Sequence, residues 1–88
     1  MKKASFGEMK LALAESCDFL RSFTLGRHGF TWQDGVAGIQ RVTNQCNQME
    51  KLFADGSHAN ESKGIVASAR PRVSAAKARL ALLRKTYE

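Results

Sequence analysis

The side chains able to attack a substrate, hold a metal or shuttle protons are few in this chain, and they are scattered. Cys17 and Cys46 are the only cysteines, and His28 and His58 the only histidines. Together they could nominally supply four zinc ligands, but zinc sites draw on closely spaced pairs such as C-x-x-C, and none of the four residues stands in one. No phosphate-cradling G-x-x-x-x-G-K-S/T loop, H-E-x-x-H helix or nucleophile elbow is present. Neither histidine is spaced to share a helix face with an acid or a nucleophile. The sequence therefore predicts no catalytic residue, no metal and no cofactor.

Two cysteines are too few for a disulfide framework, and free thiols in a reducing, cytoplasmic setting are the expectation. Met1-Lys2-Lys3 opens as a secretory signal does, but Glu8 and Lys10 interrupt the apolar run that should follow. Glu15 stands where lipid attachment at Cys17 would need a small or apolar residue. No stretch is long and apolar enough to suggest a membrane span.

The charge carries more information. The chain of 88 residues holds 14 Lys and Arg against 8 Asp and Glu. Residues 1–61 contain equal numbers of each. All the excess therefore falls on residues 62–88, where Lys63, Arg70, Arg72, Lys77, Arg79, Arg84 and Lys85 face Glu88 alone.

Three helices must position these groups. Ser5 and Glu8 have the spacing of a capping box, and Phe6, Met9, Leu13, Cys17, Leu20 and Phe23 form one apolar stripe, so a first helix is expected over 6–25, stopped by Gly26. Thr31 and Asp34 give a second, weaker capping signal. Trp32, Val36, Ile39, Val42, Cys46, Met49, Leu52 and Phe53 then mark a helix over 32–54. Gly35 and Gly38 weaken its first turns; either close helix contact or frayed structure would account for them. Ser57 or Asn60 can cap a third helix over 60–87, with Val66, Ala69, Val73, Ala76, Leu80, Leu83 and Tyr87 as its seam. Pro71 should kink or break it, yet the seam crosses Pro71 in phase, which favours one bent helix.

The expected fold is thus all-α, a small three-helix bundle in a single domain: an antiparallel hairpin plus a longer, Pro-kinked C-terminal helix. The third helix is longer than its partners. It must bend around the bundle or pack its overhang against a second copy in a homodimer. Antiparallel register sets Cys17 and Cys46 roughly 9 Å apart along the axis, beyond disulfide reach, and both read as small buried apolar residues.

Within the third helix, Lys63, Arg70, Lys77 and Arg84 recur every seven residues along one flank, while Arg72 and Arg79 line the other. Most acids fall on outward positions of the first two helices, and Glu50 alone is well placed to answer. This row is the expected partner-binding face. An acidic protein surface is the first partner it fits, in a non-enzymatic adaptor, chaperone or inhibitor. Nucleic acid, held by its phosphates, is the alternative. The glycine-flanked tip with Arg27, His28 and Trp32 is a secondary binding candidate.

Overall fold

The computed structural model describes residues 5–26 and 29–87, with side chains to Leu83. It is an up-down-up bundle of three helices: α1 (Phe6–Thr24), α2 (Trp32–Leu52) and α3 (Ala59–Tyr87). No helix among the described residues is long and apolar enough to cross a membrane.

The helix starts reverse the order of strength expected from the sequence. Ser5 accepts the Glu8 N–H at 3.1 Å, but the complete reciprocal box is the one at α2. There the Asp34 N–H donates to Thr31 Oγ1 at 3.2 Å and the Thr31 N–H donates to Asp34 Oδ2 at 2.8 Å. A shorter acid closes the box as well as glutamate does. Gly26 ends α1 as expected, with φ at +72° and its N–H donating to the Phe23 carbonyl, a geometry that costs glycine little. The start of α3 differs from expectation: neither Ser57 nor Asn60 caps it. His58 occupies the position before it, its carbonyl accepting from the Ser62 N–H at 2.8 Å.

One core runs through the bundle. Phe6, Leu13, Leu20 and Phe23 of α1 meet Ile39, Val42, Cys46 and Met49 of α2 and Val66, Ala69, Val73 and Ala76 of α3. Two sequence expectations are corrected here. Cys17 is only half-buried, and Ser16 takes the inward position beside it, satisfying its hydroxyl by donating to the Ala12 carbonyl at 3.0 Å. Trp32 is 42% exposed and no core anchor; Phe30, stacked at a tilt on Phe19 with ring centroids 4.7 Å apart, closes the hairpin tip instead.

At the opposite end, His58 lies parallel to Phe6 at 4.2 Å, and Phe53 meets Phe6 edge-on at 4.9 Å. These rings tie the start of α1, the end of α2 and the start of α3 together. Buried Ser62 adds a bond from α3 to α2, donating to the Met49 carbonyl at 3.4 Å.

Gly35 and Gly38 resolve as contact glycines. A Cβ at Gly35 would lie 2.3 Å from Phe23 Cζ, and one at Gly38 would lie 2.7 Å from Phe19 Cε1. The aromatic side of α1 thus presses directly on the α2 backbone. The third helix runs unbroken for 29 residues through Pro71, which lies on its exposed side. At 1.5 Å per residue α3 is about 43 Å long, and it accounts for the 47 Å long axis of the molecule.

Candidate interaction surface

Helical geometry sorts the residues of α3 into three faces. Ser62, Val66, Ala69, Val73 and Ala76 are buried. Opposite them, Gly64, Ala67, Ser68, Pro71, Ser74, Ala75 and Ala78 are all exposed, and none of them carries a charge. The cations occupy the two flanks. Lys63 and Arg70, with Lys77 in the same register, lie toward α2, where Lys63 and Arg70 border a groove with Glu50 and Phe53. Arg72 and Arg79 lie toward α1, beside Cys17 and Asp18 for Arg72 and beside Gly26 for Arg79.

The six cations of the expected row meet different fates. Arg70 forms an ion pair with Glu50 and donates to Asn47 Oδ1 at 3.3 Å. Glu50 is the acid expected to answer, and its bond holds the Arg70 guanidinium more firmly charged than usual. Arg79 is half-buried. Its Nε is shut off from solvent and has no hydrogen-bond partner among the described residues, and its guanidinium lies so close to Gly26 that a Cβ there would sit 2.9 Å from Nη2. Lys63, Arg72 and Lys77 are exposed and form no ion pair among the described residues. Arg84 lies on α3, its side chain beyond the described ones.

The row is therefore not uniform: two members turn to the chain itself and three remain open to solvent. A further ion pair, Lys10 with Glu61 at 2.5 Å, links the beginnings of α1 and α3. Sequence reasoning missed it. The signal was the parallel course of these two helices, which puts their first turns at one level.

Of the secondary candidates, Arg27 and His28 fall outside the described residues. Trp32 opens α2 with its ring partly in solvent. The fold does bring the hairpin tip and the basic helix together. Phe23, Gly26, Gly29 and Phe30 share a small pocket of about 180 Å³ with Arg79 and Leu83. The two surfaces expected separately thus adjoin.

An open groove of about 540 Å³ lies between α1 and α3. Its floor is apolar, with Leu13, Cys17, Ile65 and Ala69, and its lips are low, with Ala14, Gly64 and Ser68. Lys10 and Glu61 close one end, while Asp18 and Arg72 stand at the other.

The cysteines are free, and burial raises both thiol pKa values; nearby Arg72 at Cys17 and Arg70 at Cys46 pull back part of the rise. Neither is a ready thiolate nucleophile. The native chain keeps these protons to a higher pH than the unfolded chain. Their stabilisation is complete below the unfolded thiol value of about 8.5 and is lost as pH rises through the raised native values. Between pH 8 and 9.5 the urea midpoint of the parent chain is expected to fall, and that of Cys46→Val to fall less. Parallel declines would assign the effect to other groups.

Among the described residues, no three of His, Cys, Asp and Glu come close enough to hold a metal ion. No family model, curated protein or solved structure matches the chain.

Proposed function

We propose that the chain is a non-enzymatic binding protein of the adaptor, chaperone or inhibitor type, which docks an acidic protein surface through α3. One observation carries this reading. From Gly64 to Ala78 the outward face of α3 is a lane of small uncharged residues, and the exposed cations Lys63, Arg72 and Lys77 flank it without counterions among the described residues. Small residues let a partner backbone come close, and unpaired cations on both flanks select and steer negative surfaces. Sequestration of Arg70 by Glu50 and of Arg79 against Gly26 removes those two from the proposed contacts.

The same face suits a protein better than a nucleic acid. Among the described residues it presents no aromatic ring on which a base could stack, and a phosphate backbone would find only three free cations along the described part of α3. A cytoplasmic setting belongs to the same reading, with both thiols free.

Affinity purification of the tagged chain from native extract, with and without nuclease, tests the proposal. An acidic partner should survive nuclease treatment, weaken with salt and drop at least tenfold with Lys63→Glu/Lys77→Glu. Loss on nuclease treatment would move the assignment to nucleic acid. Recovery untouched by the double reversal would move the site to the tip around Trp32.

A further inference from the structure

The partner of such a protein can be described more closely from the α1–α3 groove. We infer that this groove receives an amphipathic helix of an acidic partner protein, which completes a four-helix bundle. The inference rests on the function proposed above and adds one further part of the contact, on the α1 flank of α3 beside Arg72, while Lys63 and Lys77 meet the partner on the α2 flank.

The shape of the groove fits a helix. Leu13, Cys17, Ile65 and Ala69 supply an apolar floor. Ala14, Gly64 and Ser68 keep the lips low over the central stretch, and nothing lies within 4 Å of where a Gly64 Cβ would stand. Helices pack at axial separations of about 8–10 Å when the intervening side chains are small. From Glu61 to Arg72 the groove follows α3 for about 16 Å, three turns of a docked helix. Helix-in-groove docking buries apolar anchors spaced at i, i+3/i+4 and i+7, and a floor of this length accepts three of them.

Charge complementarity decides the occupant. At one end Lys10 and Glu61 neutralise each other. At the other end Arg72, and Arg21 one helical turn beyond Asp18, are exposed and without ion pairs among the described residues. Asp18 is the one acid between them, so this end keeps a positive excess that a glutamate-flanked helix answers. A second copy of this chain fits poorly. The apolar seams of its helices are already spent in its own core, and its net charge of +6 repels a like chain.

Two synthetic 21-residue helical peptides serve as probes, both with leucine at the a and d heptad positions, one flanked by glutamate and the other by lysine. Titrated into the ¹⁵N-labelled full chain, the glutamate peptide should shift the amides of Ala14, Cys17, Ser68 and Arg72, and should bind at least tenfold tighter than the lysine peptide. Gly64→Gln/Ser68→Gln raises the lips at exposed positions where the free protein has room, and should weaken binding at least tenfold while the thermal midpoint rises slightly, since glutamine is the better helix former. Arg72→Glu should weaken it comparably.

Equal binding of the two peptides, no binding of the glutamate peptide, shifts on another face, or indifference to the raised lips would each overturn the groove assignment. Failure of the groove and failure of the proposed function are distinguishable. A native partner lost with Lys63→Glu/Lys77→Glu but kept by Gly64→Gln/Ser68→Gln leaves the function standing and removes the groove.

Discussion

Gly35→Ala is expected to destabilise the protein by about 2 kcal/mol, although alanine is the better helix former. The new methyl would stand 2.3 Å from Phe23 Cζ and 2.7 Å from both ε carbons, whereas carbon atoms in contact rest about 3.5–4.0 Å apart. Phe23 is 1% exposed and cannot swing into solvent. Relief must come from moving α1 away from α2 or from forcing the ring off its rotamer, and overpacking of this kind costs about 1–3 kcal/mol. Gly35 lies in the first turns of α2, so the gain in helix propensity stays below the interior value of about 1 kcal/mol. Gly38→Ala should cost less, because its contacts are longer, 2.7 Å to the half-buried Phe19 ring and 3.0 Å to Leu20 Cδ2.

A double-mutant cycle identifies the cause. Phe23→Leu removes the ring tip, and in the Gly35→Ala background it should recover at least 1 kcal/mol relative to its effect in the parent chain. Additive urea-denaturation energies would show that the glycine is retained for another reason.

This contact also shows where sequence reasoning reaches its limit. Apolar periodicity identified three helices and their core faces because burial of a stripe at 3.6-residue spacing is nearly independent of the partner's details. It could not decide between close contact and fraying at Gly35 and Gly38, since that depends on which α1 ring lies opposite. Cys17 and Ser16 show the same limit within one helix. They are 100° apart on the helical wheel, and the core centre passes nearer Ser16, whose hydroxyl is satisfied by its own helix. A hydroxyl with that local partner can stand inside where composition alone would choose the thiol.

The candidate surface was legible in part. Seven-residue spacing assigned the cations of α3 to two flanks and singled out Glu50 as the answering acid, because flank positions follow from the seam alone. Arg79 could not be foreseen in the same way. Its surroundings come from Gly26, whose missing side chain and positive φ leave room for a guanidinium at the end of α1. Trp32 and Phe30 are two residues apart, and the turn geometry, not hydrophobicity, determines that Phe30 reaches Phe19. The α1–α3 groove was equally hidden, because it is made by the smallness of Ala14, Gly64 and Ser68, and small residues leave no signal in a hydrophobic pattern.

Pro71→Ala should change stability in the opposite direction, raising it by about 1–3 kcal/mol. Proline in a helix interior withholds one N–H and crowds the carbonyl four residues back, here that of Ala67, for a cost of about 3 kcal/mol relative to alanine. Part of that cost is already relieved in this fold. Pro71 and Ala67 both lie on the exposed side of α3, where water can serve the freed carbonyl. Alanine also returns some freedom to the unfolded chain, offsetting about 0.4–1 kcal/mol of the gain. The seam on the other side is undisturbed, with Ala69 at 2% and Val73 at 9% exposure on either side of the proline. A rise in the urea midpoint with unchanged helix content is therefore the expected result. A fall would mean that curvature at Pro71 is what lets α3 follow the hairpin from Phe6 to Gly26, and that a straighter helix gives up packing at one end to keep it at the other.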